Sequence, residues 1–112
     1  MEIRTRKENN AIVVTVKGRM DAVSSSDFEA HLSELMADGE KDFIVDLGEL
    51  DYISSAGLRS VLSVLQDLKG KNGKLVLCSL KDLVKHVFDL SGLSPAIPIF
   101  ETVDSGISQR LT

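Results

Sequence analysis

FIVDLGELDYISSAGLRSVLSVLQDLKGKNGKLVLC, residues 43–78, carries the pattern that decides the fold. Phe43 to Leu47 is a short apolar run of the length of a buried strand, with Asp46 inside it. After Ser54 and Ser55 the apolar positions change period. Leu58, Val61, Leu62, Leu65 and Leu68 fall on one helical stripe, and Arg59, Ser63, Gln66 and Lys69 occupy the opposite face. Gly70-Lys71-Asn72-Gly73 breaks the helix, and Lys74 to Cys78 is a second buried strand. Strand, helix and strand at these lengths make a βαβ unit, and so a parallel pair of strands.

The flanks extend the same alternation. Residues 2–7 are alternating and polar, suited to an edge strand. Asn9 and Asn10 mark a turn, and Ala11 to Val16 is β-branched and nearly continuous up to Gly18. Ser24, Ser25, Ser26 and Asp27 offer caps to a helix whose Phe28, Leu32, Leu35 and Met36 share one face, with Gly39 as its stop. Leu83, Val84, Val87 and Phe88 mark a third helix closed near Gly92. Ile97 to Phe100 is expected as a last strand and Val103 to Leu111 as a terminal helix. The expectation is one α/β domain over residues 1–112. Its mostly parallel sheet starts with an N-terminal hairpin and has helices packed on it. Residues 48–55 are then expected as a loop at the carboxyl end of the central strand, where sites collect in open α/β sheets.

Composition narrows the function. Of 112 residues, 43% are hydrophobic and 27% charged, the balance of an ordinary globular domain. Thirteen basic and seventeen acidic residues leave a net charge of −4, against the basic footprint of a nucleic-acid binder or an anionic-lipid surface. One cysteine, Cys78, excludes an internal disulfide framework. No apolar run approaches the ~20 residues that span a bilayer, so no membrane insertion is expected. The opening MEIRTRKENN lacks a signal-peptide core, and the expected compartment is the cytoplasm.

Enzyme signatures fail on spacing. Gly70-Lys71-Asn72-Gly73-Lys74 has neither the length nor the hydroxyl of a phosphate-cradling loop. Around Ser55, Ile53 stands where a nucleophile elbow needs glycine. Val84 stands where a thiol phosphatase needs arginine after Cys78. His31 and His86 lack nearby partner ligands, so neither metal nor cofactor is expected. A phosphoacceptor at Asp46 would need acidic magnesium ligands after the preceding strand, and VKGRM, residues 16–20, has none. Catalysis is not expected.

What remains is Ser54-Ser55-Ala56-Gly57, two hydroxyls where a loop becomes a helix. Serine is a preferred N-cap, and glycine there lets the first turn pack closely. A helix N-terminus with its unpaired N–H groups also suits a phosphate. An exposed cap hydroxyl is an accessible one, so the two roles are compatible.

These residues carry a resemblance. The chain resembles the bacterial anti-sigma-factor antagonists, single-domain proteins of the STAS fold. The matching pieces are Gly18-Arg19-Met20-Asp21, Ile44-Val45-Asp46-Leu47 and Ser54-Ser55-Ala56-Gly57-Leu58. Further on come Gly73 to Cys78 and Val87 to Leu93, and the set follows the family's order along nearly the whole chain. The resemblance implies a partner switch. The unphosphorylated antagonist binds an anti-sigma factor that is also a serine kinase, phosphorylation releases it, and a PP2C-like phosphatase resets it. Aligned on Gly57-Leu58, the acceptor is Ser55, with Ser54 as the alternative. Ser54 stands where many members have aspartate, and Ala56 where they have a second hydroxyl. Asp21 maps onto a partner-facing aspartate, its other role being a cap or a solvated charge. Ser54, Ser55, Gly57 and Arg59 complete the expected partner surface, with Arg59 either meeting a partner carboxylate or simply solvated. The alternative is a non-switching accessory subunit of a transport or signalling assembly.

Overall fold

A computed structural model describes residues 1–109. The chain opens with β1 (Glu2–Glu8) and β2 (Ala11–Met20), an antiparallel hairpin joined by Asn9 and Asn10. Both asparagines have positive φ, 51° and 66°, the backbone that lets a two-residue turn follow the twist of its strands. Then come α1 (Ser24–Ala37), β3 (Asp42–Ile53), α2 (Ser55–Lys69), β4 (Lys74–Cys78) and α3 (Asp82–Ser91). A 3-10 turn (Ser94–Ala96), β5 (Ile99–Phe100) and α4 (Val103–Gln109) complete it. The five strands lie in the order β1-β2-β3-β4-β5, all parallel from β2 onward. The expected α/β architecture with its N-terminal hairpin is therefore present.

Two cores explain why β2, β3 and β4 read as continuous apolar runs. One face of the sheet packs Val14, Val16, Val45, Leu47, Leu75 and Leu77 against α1, α2 and α3. The other packs Val13, Ile44, Val76 and Cys78 against Ile107 of α4. With helices on both faces, the middles of β2 and β4 are buried throughout, and Phe43 to Leu47 of β3 is buried at every position but the half-buried Asp46.

Four expectations need correction. Residues 48–53 are not loop: β3 runs on to Ile53, and β2 does not end at Gly18 but reaches Met20 beside it. Two register shifts, between Thr15 and Lys17 and between Gly18 and Arg19, sustain this pairing, and Gly18 at φ 104° supplies the bend. Bulges break the two-residue alternation, so a bulged strand with polar outer residues reads as loop. The start of α1 is capped by Asp21, whose carboxylate accepts from the Val23 and Ser24 N–H groups, and of the expected caps Ser24 alone shares in it, by accepting from the Asp21 N–H. The last strand is only Ile99–Phe100, since residues 94–96 coil into a 3-10 turn ahead of Pro98. Of the expected terminal helix, α4 covers 103–109, and Arg110 and Leu111 lie outside the described residues.

Candidate functional site

The carboxyl ends of β2 and β3 meet where α2 begins. The Ser54 N–H donates to the Met20 carbonyl at 2.9 Å, tying the two strand ends together. Gly57 closes this junction. A Cβ there would lie 2.7 Å from Ile53 Cγ1 and 2.9 Å from the Met20 carbonyl oxygen, distances that only glycine avoids. Gly57 is buried, so it acts from beneath and presents no side chain to a partner.

The two serines divide the roles that sequence left open. Ser54 is the N-cap of α2, its Oγ accepting from the Gly57 N–H at 3.2 Å. Ser55 is the first helical residue and is exposed, and no hydrogen bond among the described residues engages its hydroxyl. Arg59 follows four residues later, exposed on the same helical face.

Asp21 borders this turn from the end of β2. Its Oδ1 accepts from the N–H groups of Val23 at 3.1 Å and Ser24 at 3.0 Å, while Ser24 Oγ accepts from the Asp21 N–H at 2.9 Å. This reciprocal box starts α1, as a side chain and backbone exchanging orphan bonds does at other helix starts. The Ser24 N–H and then its hydroxyl hold the Asp21 carboxyl below its ordinary pKa, with smaller help from Val23 and the Arg19 charge. Asp21 is thus ionised and fixed in direction, half-exposed beside the turn that carries Ser54.

Other groups that sequence did not single out border the same end. The Arg19 guanidinium lies 4.2 Å from the centre of the Tyr52 ring, a pair created by the bulged register that sets Arg19 opposite Tyr52. Asp51 pairs with Lys81 at 2.5 Å, and that hydrogen bond lowers its carboxyl pKa first and the lysine charge second. Val23 is 80% exposed two residues from Asp21, an apolar side chain left in water next to the turn. Only the last had a sequence signal, a valine directly before three serines.

The residues set aside on spacing lie elsewhere. Asp46 Oδ1 accepts from the Gly48 N–H at 2.9 Å, a local bond within β3. Cys78 is buried, and that burial, followed by the Asp46 charge, pushes its thiol up to about 11. His31 lies on α1 and His86 on α3, and among the described residues no group of His, Cys, Asp and Glu is placed to hold a metal. No helix among them is long and apolar enough to cross a membrane.

The sequence model of the STAS domain matches residues 2–106. The chain belongs to the STAS domain family. A Bordetella bronchiseptica STAS relative, named as the anti-sigma factor antagonist BtrV, is 38% identical over 99 residues, covering 88% of this chain and 85% of its own. A Thermotoga maritima structure described as an anti-sigma factor antagonist superposes with a TM-score of 0.91 at 15% identity, over 96% of this chain and 92% of that one. The anti-sigma factor antagonist SpoIIAA in its unphosphorylated form gives 0.84 at 21% identity, over 98% and 96%. A Bacillus SpoIIAA in its phosphorylated form gives 0.74 at 21%, over 99% and 100%. At those identities the solved structures establish the STAS fold.

Proposed function

We propose that this STAS domain is an anti-sigma factor antagonist that works as a phosphorylation-controlled partner switch. Unmodified, it binds an anti-sigma factor that is also a serine kinase; phosphorylated on Ser55, it lets go, and a PP2C-like phosphatase restores it. The domain itself is the substrate and interaction module, not the enzyme. The name of the Bordetella relative supports the general role. The observation that carries the switch is the division between the serines: Ser54 Oγ is engaged in the cap, while Ser55 stands exposed one residue further.

The electrostatics fit this reading. The first turn of α2 presents N–H groups and the positive end of its dipole, so a phosphate on Ser55 is compatible with the folded helix. The same charge is adverse at a contact. A dianion set among partner groups that had met a neutral hydroxyl must be desolvated, and the ionised Asp21 follows Met20, the residue to which the start of this turn is bonded. The test is incubation with ATP and the cognate kinase, followed by mapping of the modified residue by mass spectrometry. Modification at Ser55 that dissolves the complex is expected. A complex indifferent to Ser55 would overturn the switch in favour of the accessory-subunit role.

A further inference from the structure

The face of the sheet that carries α4 is only partly covered. The helix packs over β3, β4 and β5, and toward β1 the same face continues as an open cleft of about 350 Å³. Three neighbouring strands build it. Arg4, Thr5 and Arg6 of β1 form one wall, Asp46 and Glu49 of β3 the other, and Thr15 of β2 lies between them. Register accounts for the grouping: Arg4 stands opposite Thr15 and Thr15 opposite Asp46, just before the first bulge between β2 and β3. A cationic wall therefore faces an anionic one across a single strand.

Thr15 is the residue that the fold does not explain. It is 7% exposed in a run otherwise made of alanine, isoleucine and valine, yet no hydrogen bond among the described residues engages its hydroxyl. Valine would fill the same space without the cost of a buried hydroxyl left unpaired. Asp46 beside it is half-buried, and among the described residues only its Oδ1 is engaged, by the Gly48 N–H. Its charge is felt within the sheet: after burial itself, it is what raises the neighbouring Cys78 thiol. The walls are joined by one ion pair, from Arg4 across β2 to Glu49, with Glu2 also beside Arg4 at 3.4 Å. Both ends of that pair are about half in solvent, where such pairs contribute little, so it opens easily. Arg6 is paired with Glu8 at 2.9 Å. We propose that the cleft binds a small zwitterion of the amino-acid class. Its ammonium donates to Thr15 Oγ1 and to the second oxygen of Asp46, and its carboxylate takes Arg4 from Glu49. The volume lies at the small end of ligand pockets. The cleft is on the face opposite the one that carries α2, so the site is independent of the switch at Ser55.

The probe is γ-aminobutyrate, titrated into the isotope-labelled full chain and followed by backbone amide NMR, with butylamine and butyrate as its two halves. Saturable shifts at residues 4–6, 15 and 46–49 are expected, and each half alone should bind about tenfold more weakly. Thr15→Val keeps the shape of the strand and Asp46→Asn keeps an acceptor for the Gly48 N–H. Each should therefore melt as the parent does while weakening the zwitterion about tenfold. Arg4→Gln, an exposed change, supplies the same test at the carboxylate end. Glu49→Gln removes the competing carboxylate and should tighten binding severalfold. Ser55→Asp should leave the titration unchanged, which separates this proposal from the partner switch. Equal binding of butylamine would reduce the cleft to a cation site and overturn the proposal. So would an absence of saturation at about 100 mM, or folded variants at Arg4, Thr15 and Asp46 that bind as the parent does.

Discussion

Ser54 and Ser55 are chemically identical, and one hydrogen bond separates their roles. Ser54 Oγ accepts from the Gly57 N–H, so Ser54→Ala should lower stability by about 1 kcal/mol, a typical loss for a helix cap, yet leave kinase incorporation intact. Ser55→Ala should do the reverse, abolishing incorporation with the melting temperature almost unchanged. Phosphate uptake and thermal melts of the two variants check both halves, and uptake lost only in Ser54→Ala would move the acceptor by one residue. A second residue-scale prediction concerns Cys78. Burial raises its thiol to about 11, so the thiolate is scarce near neutrality. A disulfide reagent should label the native protein slowly and the denatured protein at once. The sign for stability follows from the direction of the shift. The folded group holds its proton more tightly than the unfolded one, so its contribution is whole below the ordinary thiol pKa of about 8.5 and is lost as pH climbs toward 11. A native thiol that reacts as fast as a free one at a pH of about 7.5 would contradict the burial.

Among the elements, α2 is set by its approach to the strand ends more than by its own propensity. Gly57→Ala would be favourable in an isolated helix, but its Cβ would meet Ile53 Cγ1 and the Met20 carbonyl below 3.0 Å. Backbone cannot yield as a side-chain tip can, so the variant should lose about 1–3 kcal/mol, the usual cost of overpacking. For a domain near 100 residues that is roughly 4–8 °C of melting temperature per kcal/mol, and a calorimetric scan measures it. A Gly57→Ala protein as stable as the parent would mean that α2 slides away from the sheet with ease. The same junction shows what was legible in the sequence. Leu58 to Leu68 announced α2 because one apolar stripe suffices for a helix on a sheet, and Phe43 to Leu47 announced β3 because both its faces are covered. Beyond Leu47 the strand bulges and turns polar residues outward, so its last six residues lost the alternation that marks a strand. The cap of α1 is hidden for a related reason: Ser24 to Asp27 have the right chemistry, but the first N–H groups of the turn, those of Val23 and Ser24, lie ahead of them and go to the Asp21 side chain. The serine pair was visible as a site, whereas the division between its members depends on a bond direction that residue types do not encode.

At the scale of the whole molecule, a switch must change binding without changing the fold, and the charge distribution allows it. The chain starts at −4, and a phosphoserine adds about −1.5 to −2 at pH 7. Placed at the start of α2, that charge meets a favourable dipole within the chain, so the phosphorylated protein should keep its helix signal and melt within a few degrees of the unmodified one. Between chains the sign reverses. Loss of ~4 kcal/mol at one contact weakens a complex about a thousandfold, enough to take a micromolar affinity out of range. Ser55→Ala should therefore hold the kinase partner persistently in the presence of ATP, while Ser55→Asp binds weakly, less weakly than the phosphoprotein because one carboxylate carries less charge. If the weakening is repulsion on a surface shared with Asp21, Asp21→Asn in the Ser55→Asp background should recover part of the affinity. The recovery should be partial, because the exchange also disturbs the bonds to Val23 and Ser24 that begin α1. Titration calorimetry of these variants against the kinase, beside a melt of each, separates interface from fold. Weak binding by Ser55→Asp together with an intact melt places the effect at the contact, and a collapse of both would make the mechanism an unfolding of the first turn of α2.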